Sequence, residues 1–115
     1  MKKDNVIQRK SYEFAIKIVH LCKNLMDGEK EFVLSKQLLR SGTSIGANVE
    51  EAVGAQSRKD FNAKLSIAYK EARETSYWIR IMQDTGYVKK NEAELLLSEC
   101  EEIRKILAKI QITLK

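Results

Sequence analysis

The chain contains no proline, so nothing in it breaks a helix from within, and its five glycines are few for 115 residues. With leucine, isoleucine, lysine and glutamate abundant, these absences point to an all-α fold. Histidine is nearly missing: there is one, His20, and it has no Glu-x-x-His partner of the kind that builds metal sites in helix bundles. Cysteine is scarce too. Cys22 and Cys100 stand far apart, without metal-ligand spacing, and read as reduced, buried thiols. No metal and no cofactor are expected. No nucleophile lies beside a base and no glycine-rich phosphate loop is present, so no catalytic residues and no enzyme are expected. No apolar run approaches the roughly 20 residues that span a bilayer. The start, Met1-Lys-Lys-Asp-Asn5, leads into an amphipathic segment and not a signal sequence. A cytoplasmic protein without membrane contact is the expectation.

What is present is a globular composition, 43% hydrophobic and 32% charged, expected to form one domain over residues 1–115. No linker, repeat or low-complexity tract interrupts it. The net charge is +5, with charges of both signs interspersed. That surplus permits an acidic partner such as RNA or DNA without demanding one.

Apolar periodicity predicts four helices, at about 6–26, 31–54, 58–85 and 92–114. Asn5 caps the first, and Asp27-Gly28 ends it. Its apolar face carries Ile7, Phe14, Ile18, Leu21 and Leu25, widened by Ala15, Val19, Cys22 and Met26. Ser57-Arg-Lys-Asp60 opens the third helix and Gly86 stops it. Asn91-Glu-Ala-Glu94 reads as a capping box for the fourth, whose seam runs from Leu96 to Leu114. Phe14, Leu38, Ile45, Leu65, Ile79, Leu96, Ile103 and Leu107 are the expected centre of the core. Four helices of this length with short connections favour an antiparallel up-down-up-down bundle. Gly42 and Gly46 each cost about 1 kcal/mol inside a helix. They imply a close helix crossing or a kink.

Three surface constellations stand out. Arg40, Ser44, Asn48 and Glu51 share one stripe of the second helix. They read as a buried polar network, joined by Glu71 or Glu74 of the third helix and with Glu74, then Glu51, as the partner of Arg40, or as a binding site. Tyr69, Arg73, Tyr77 and Arg80 alternate rings and cations on the third helix. They read as a nucleic-acid face using phosphate pairing and stacking, or as a solvated face or oligomer contact. Ile67, Trp78 and Ile81 form a second apolar stripe beyond what one seam needs, and predict a closed homo-oligomer.

The run Arg40-Ser-Gly-Thr-Ser-Ile-Gly-Ala-Asn-Val-Glu-Glu-Ala52 resembles the hallmark segment of the bacterial four-helix-bundle family first named for 23S rRNA intervening sequences. So do Gln56-Ser-Arg-Lys-Asp-Phe61, Lys64-Leu-Ser-Ile-Ala68, Lys70-Glu-Ala-Arg-Glu-Thr75, Tyr77-Trp-Ile79 and Gly86-Tyr87. The motif Ser-Ile-x-x-Asn-x-x-Glu falls on Ser44, Ile45, Asn48 and Glu51. Many members have proline where this chain has Gly46, and Ala-Glu-Gly where it has Glu50, Glu51 and Ala52. The resemblance implies a left-handed up-down bundle. It extends to the accessory protein of diversity-generating retroelements, a basic pentameric barrel that binds nucleic acid and a reverse transcriptase. By that likeness this chain is expected to form a pentamer, and to have RNA or DNA and a nucleic-acid-processing protein as partners. The alternative is a purely protein–protein scaffold.

Overall fold

The computed structural model describes the backbone of residues 5–114 and the side chains of residues 5–111. Leu114, expected at the end of the last seam, has its side chain outside that range. Four helices account for nearly everything: α1 Val6–Asn24, α2 Val33–Val53, α3 Arg58–Asp84 and α4 Lys90–Leu114. Among the described residues there is no strand, and the architecture is an all-α four-helix bundle.

Contacts along the chain set the direction of each helix. Gly42 of α2 meets Ile18 of α1 and Gly46 meets Ser11, while Gln8 bonds Glu50, so the two helices run antiparallel. Ser41 pairs with Thr75 and Glu51 with Lys64, which reverses α3 against α2. Cys100 reaches the Ala72 carbonyl and Gln111 reaches Ser66 and Asn62, which reverses α4 against α3. The ring closes as α1 meets α4, with Lys10 on Glu102 and Lys17 on Glu99. The molecule measures 44 × 22 × 20 Å. Its long dimension is about the length of the 27-residue α3, at roughly 1.5 Å per residue.

All eight residues expected at the centre of the core are buried there. Val19 is a correction: it is exposed, on an outward stripe with Tyr12 and Ile16. These three recur at i, i+4 and i+7, and so share a face of α1 that no other helix covers.

The glycines of α2 resolve the choice between crossing and kink. A Cβ on Gly42 would lie 2.8 Å from Ile18, and one on Gly46 would lie 3.3 Å from the Ser11 carbonyl oxygen. The helix is continuous from Val33 to Val53. Close approach to α1 is therefore what the missing side chains permit.

The end of α1 departs from expectation. The helix does not stop at Asp27-Gly28 but widens into a π turn over Leu25–Glu29. The left-handed residue is Lys30, at φ 57°, not the glycine. The wider turn spends an extra residue and moves the reversal downstream. Lys30 there costs on the order of 1 kcal/mol.

Next to it Glu31 supplies a cap that periodicity and spacing do not reveal. Its carboxylate accepts from the N–H groups of Val33 (3.1 Å), Leu34 (2.9 Å) and Ser35 (2.7 Å), and from the Ser35 hydroxyl (2.8 Å). These are the orphan donors of the first turn of α2. Partial burial pushes the Glu31 carboxyl up, but the four hydrogen bonds outweigh it and hold the group below the usual carboxylate range. A depressed folded value means that the stability is present above the ordinary carboxylate pKa. It is lost as pH falls through the folded one. Glu31→Gln is expected to cost about 0.5–2 kcal/mol at neutral pH. Thermal melts of the two proteins should converge in acid, below the ordinary carboxylate range.

The other caps are mixed. Asn5 and Ser57 act as expected, accepting from Gln8 and Asp60. The fourth helix starts at Lys90, before the expected box, with the Ala93 N–H already bonded to Lys89. Tertiary anchoring explains the early start. After Gly86 (φ 88°) the Tyr87 and Val88 N–H groups fold back onto the Met82 carbonyl, and Val88 is buried in the core.

Candidate nucleic-acid interface

The outward face of α3 meets α4 in a shallow cleft of about 170 Å³, lined by Arg73, Ser76, Arg80, Glu101 and Arg104. Arg73 and Arg80 are seven residues apart on α3, so both point the same way, about 10 Å apart along the axis. Arg104 comes from α4. Its guanidinium donates to the Tyr69 hydroxyl at 3.0 Å and to Glu101 at 3.0 Å, and lies over the Tyr69 ring, 5.8 Å from the centroid. Three arginines and one carboxylate thus line the cleft. The hydrogen bond from Arg104 is the main reason that the Glu101 carboxyl lies below its ordinary range. It likewise leads the causes that pull the Tyr69 phenol down, followed by Arg73. Both acceptors are pre-set by a cation.

Of the four expected residues, Arg73 and Arg80 line this cleft, and Tyr69 adjoins it through Arg104. Tyr77 does not line it. The residue is 49% exposed, and its ring lies T-shaped to that of Trp78, with centroids 5.1 Å apart at 70°. Arg104 was not expected. Nothing in the local sequence of α4 marks it, since its place beside Arg73 comes only from the packing of α4 on α3.

The polar stripe of α2 behaves differently from a buried network. Arg40 bonds Glu74, the expected partner, and also Glu71 at 3.2 Å, but its side chain is 49% exposed. The expectation of burial is corrected: the stripe runs along the open edge between α2 and α3. Glu51 turns away to Lys64 at 3.0 Å, and Asn48 donates to the Ser44 carbonyl on its own helix at 2.8 Å. Glu74 also accepts from the Trp78 indole N–H at 2.9 Å. That bond, then the one from Arg40, holds its carboxyl below the usual range. Solvent screens such a pair, so losing Arg40 should cost up to about 1 kcal/mol, not the 3–5 kcal/mol of a deeply buried one.

The pattern of the 23S rRNA-intervening sequence protein family matches residues 3–109, nearly the whole chain. This chain belongs to that family. A solved structure agrees. It is a protein with unknown function from the S23 ribosomal protein family of Bacteroides thetaiotaomicron VPI-5482. It is 52% identical, covers 92% of this chain and 98% of its own, and superposes with a TM-score of 0.91. No curated protein matches this chain.

In this member of the 23S rRNA-intervening sequence family, both cysteines are buried. Burial is the main reason that the Cys22 and Cys100 thiols are pushed up to about 12. Neither is available as a thiolate at neutral pH. Among the described residues no group of three or more His, Cys, Asp or Glu is placed to hold a metal ion. No described helix is long and apolar enough to cross a membrane. Of the stripe expected at an oligomer contact, Ile67 is exposed, while Trp78 and Ile81 are half-buried, Trp78 against the core of its own bundle.

Proposed function

We propose that this protein is a non-enzymatic, nucleic-acid-associated homo-oligomer acting through the basic face of α3 and α4. The observation that carries the reading is the cleft itself: Arg73, Arg80 and Arg104 converge against the single acid Glu101. Guanidinium groups pair with phosphate oxygens through charge-assisted hydrogen bonds. The net charge of +5 favours the approach of a polyanion. The test is anisotropy titration of random-sequence RNA and DNA oligonucleotides over a salt series. Three phosphate contacts give log K a slope near −2 to −3 against log salt. No detectable binding at low salt ends the nucleic-acid reading.

The outward stripe of Tyr12, Ile16 and Val19 on α1 favours a contact with protein. The same stripe supports self-assembly into a closed ring, for which the family resemblance implies five copies. Light scattering on the same samples reports the mass. A monomer refutes the ring, and a dimer or tetramer refutes only the count. An assembled protein that binds no nucleic acid leaves the scaffold reading.

A further inference from the structure

We propose that the α3 face selects single-stranded over double-stranded nucleic acid, with Tyr77 as a stacking platform for one unpaired base. The inference rests on the nucleic-acid reading above and goes further, because it names the form of the ligand.

The two tyrosines of the stripe are not equivalent. The Tyr69 ring carries the Arg104 guanidinium over its face, and its hydroxyl is engaged by the same group. It is a scaffold for the arginine and has little face to offer a base. Tyr77 is half-exposed, and its ring and that of Trp78 lie T-shaped and not stacked. Trp78 is itself held, half-buried against the core, with its indole N–H on Glu74. Tyr77 is thus a half-exposed ring with no ring stacked on it, set against a fixed neighbour.

Its position decides what the ring can do. Arg73 lies four residues before Tyr77 and Arg80 three after, about one helical turn on either side. A base stacked on Tyr77 therefore has cationic groups on both sides for its two flanking phosphates. A duplex cannot use this arrangement. Its base faces are covered by their neighbours and only base edges reach the grooves. The arginines alone would hold a duplex through its phosphates, and the tyrosine would add nothing.

The experiment compares a mixed-sequence single strand of about 20 nucleotides with the same sequence as a duplex, by anisotropy at low salt, on the full-length protein. Parent, Tyr77→Ala and Tyr77→Phe are measured, each with its mass by light scattering. The parent should prefer the single strand. Tyr77→Ala should lose roughly 10-fold in single-strand affinity with duplex affinity unchanged, and Tyr77→Phe, which keeps the ring, should retain the preference. Salt-dependent binding that is equal for both forms, or that Tyr77→Ala weakens equally for both, overturns this inference and leaves the nucleic-acid reading standing. A change of mass in Tyr77→Ala without a change in the single-to-double preference makes Tyr77 an assembly contact and also overturns it. No binding of either form by any of the three proteins sinks both proposals.

Discussion

Leu65→Ala is expected to destabilise the bundle by roughly 2–5 kcal/mol. Leu65 is 1% exposed and lies on α3, which packs against both α2 and α4. Removing its isopropyl group loses the transfer free energy and leaves a cavity that rigid helices fill poorly. Close crossings elsewhere, such as Gly42 against Ile18, restrict how far α1 and α2 can move inward. For a protein of this size each kcal/mol lowers Tm by about 4 °C, so a fall of roughly 8–20 °C is expected in a calorimetric melt. Leu65→Met, which keeps the volume, should cost less than about 1.5 kcal/mol. A melt of Leu65→Ala matching the parent would refute the packing described.

Reversing both cleft arginines, Arg73→Glu with Arg80→Glu, should weaken oligonucleotide binding by on the order of 10- to 100-fold at low salt. It should also reduce the salt slope by about 2, one for each phosphate left without its guanidinium. Both side chains are exposed, so the fold should melt as the parent does. The same double reversal at Arg58 and Lys59, exposed at the start of α3 and away from the cleft, makes the same change in net charge. A comparable loss there would assign binding to overall charge and not to the cleft.

The helices and the core were legible in the sequence because burial in a bundle is written as a period. Ile7, Phe14, Ile18, Leu21 and Leu25 recur on helical spacing, and one face of each helix has to leave water. The caps at Asn5 and Ser57 were legible too, since a side-chain oxygen there reaches backbone donors a few residues on. The stop at Lys30 was not. Whether α1 ends at Gly28 or continues through a π turn is a choice between local conformations separated by about 1 kcal/mol, and packing decides such choices. Glu31 escaped for the same reason: it becomes a cap only once the chain has reversed at Lys30.

The site divides along the same line. Arg73 and Arg80 share a stripe by virtue of helical spacing alone, so the sequence determined that they face one way. Ser44 and Asn48 likewise meet within one helix. Which faces stay wet was decided only when four helices came together. That assembly left Arg40 half-exposed at the edge between α2 and α3, and Val19 outside. It also brought Arg104 of α4 over the ring of Tyr69 on α3, and left Tyr77 half-exposed. Periodicity states that a helix has two sides. The rotation of each helix about its own axis, fixed between α1 and α2 by the close fit of Gly42 and Gly46, determines where the boundary between them falls.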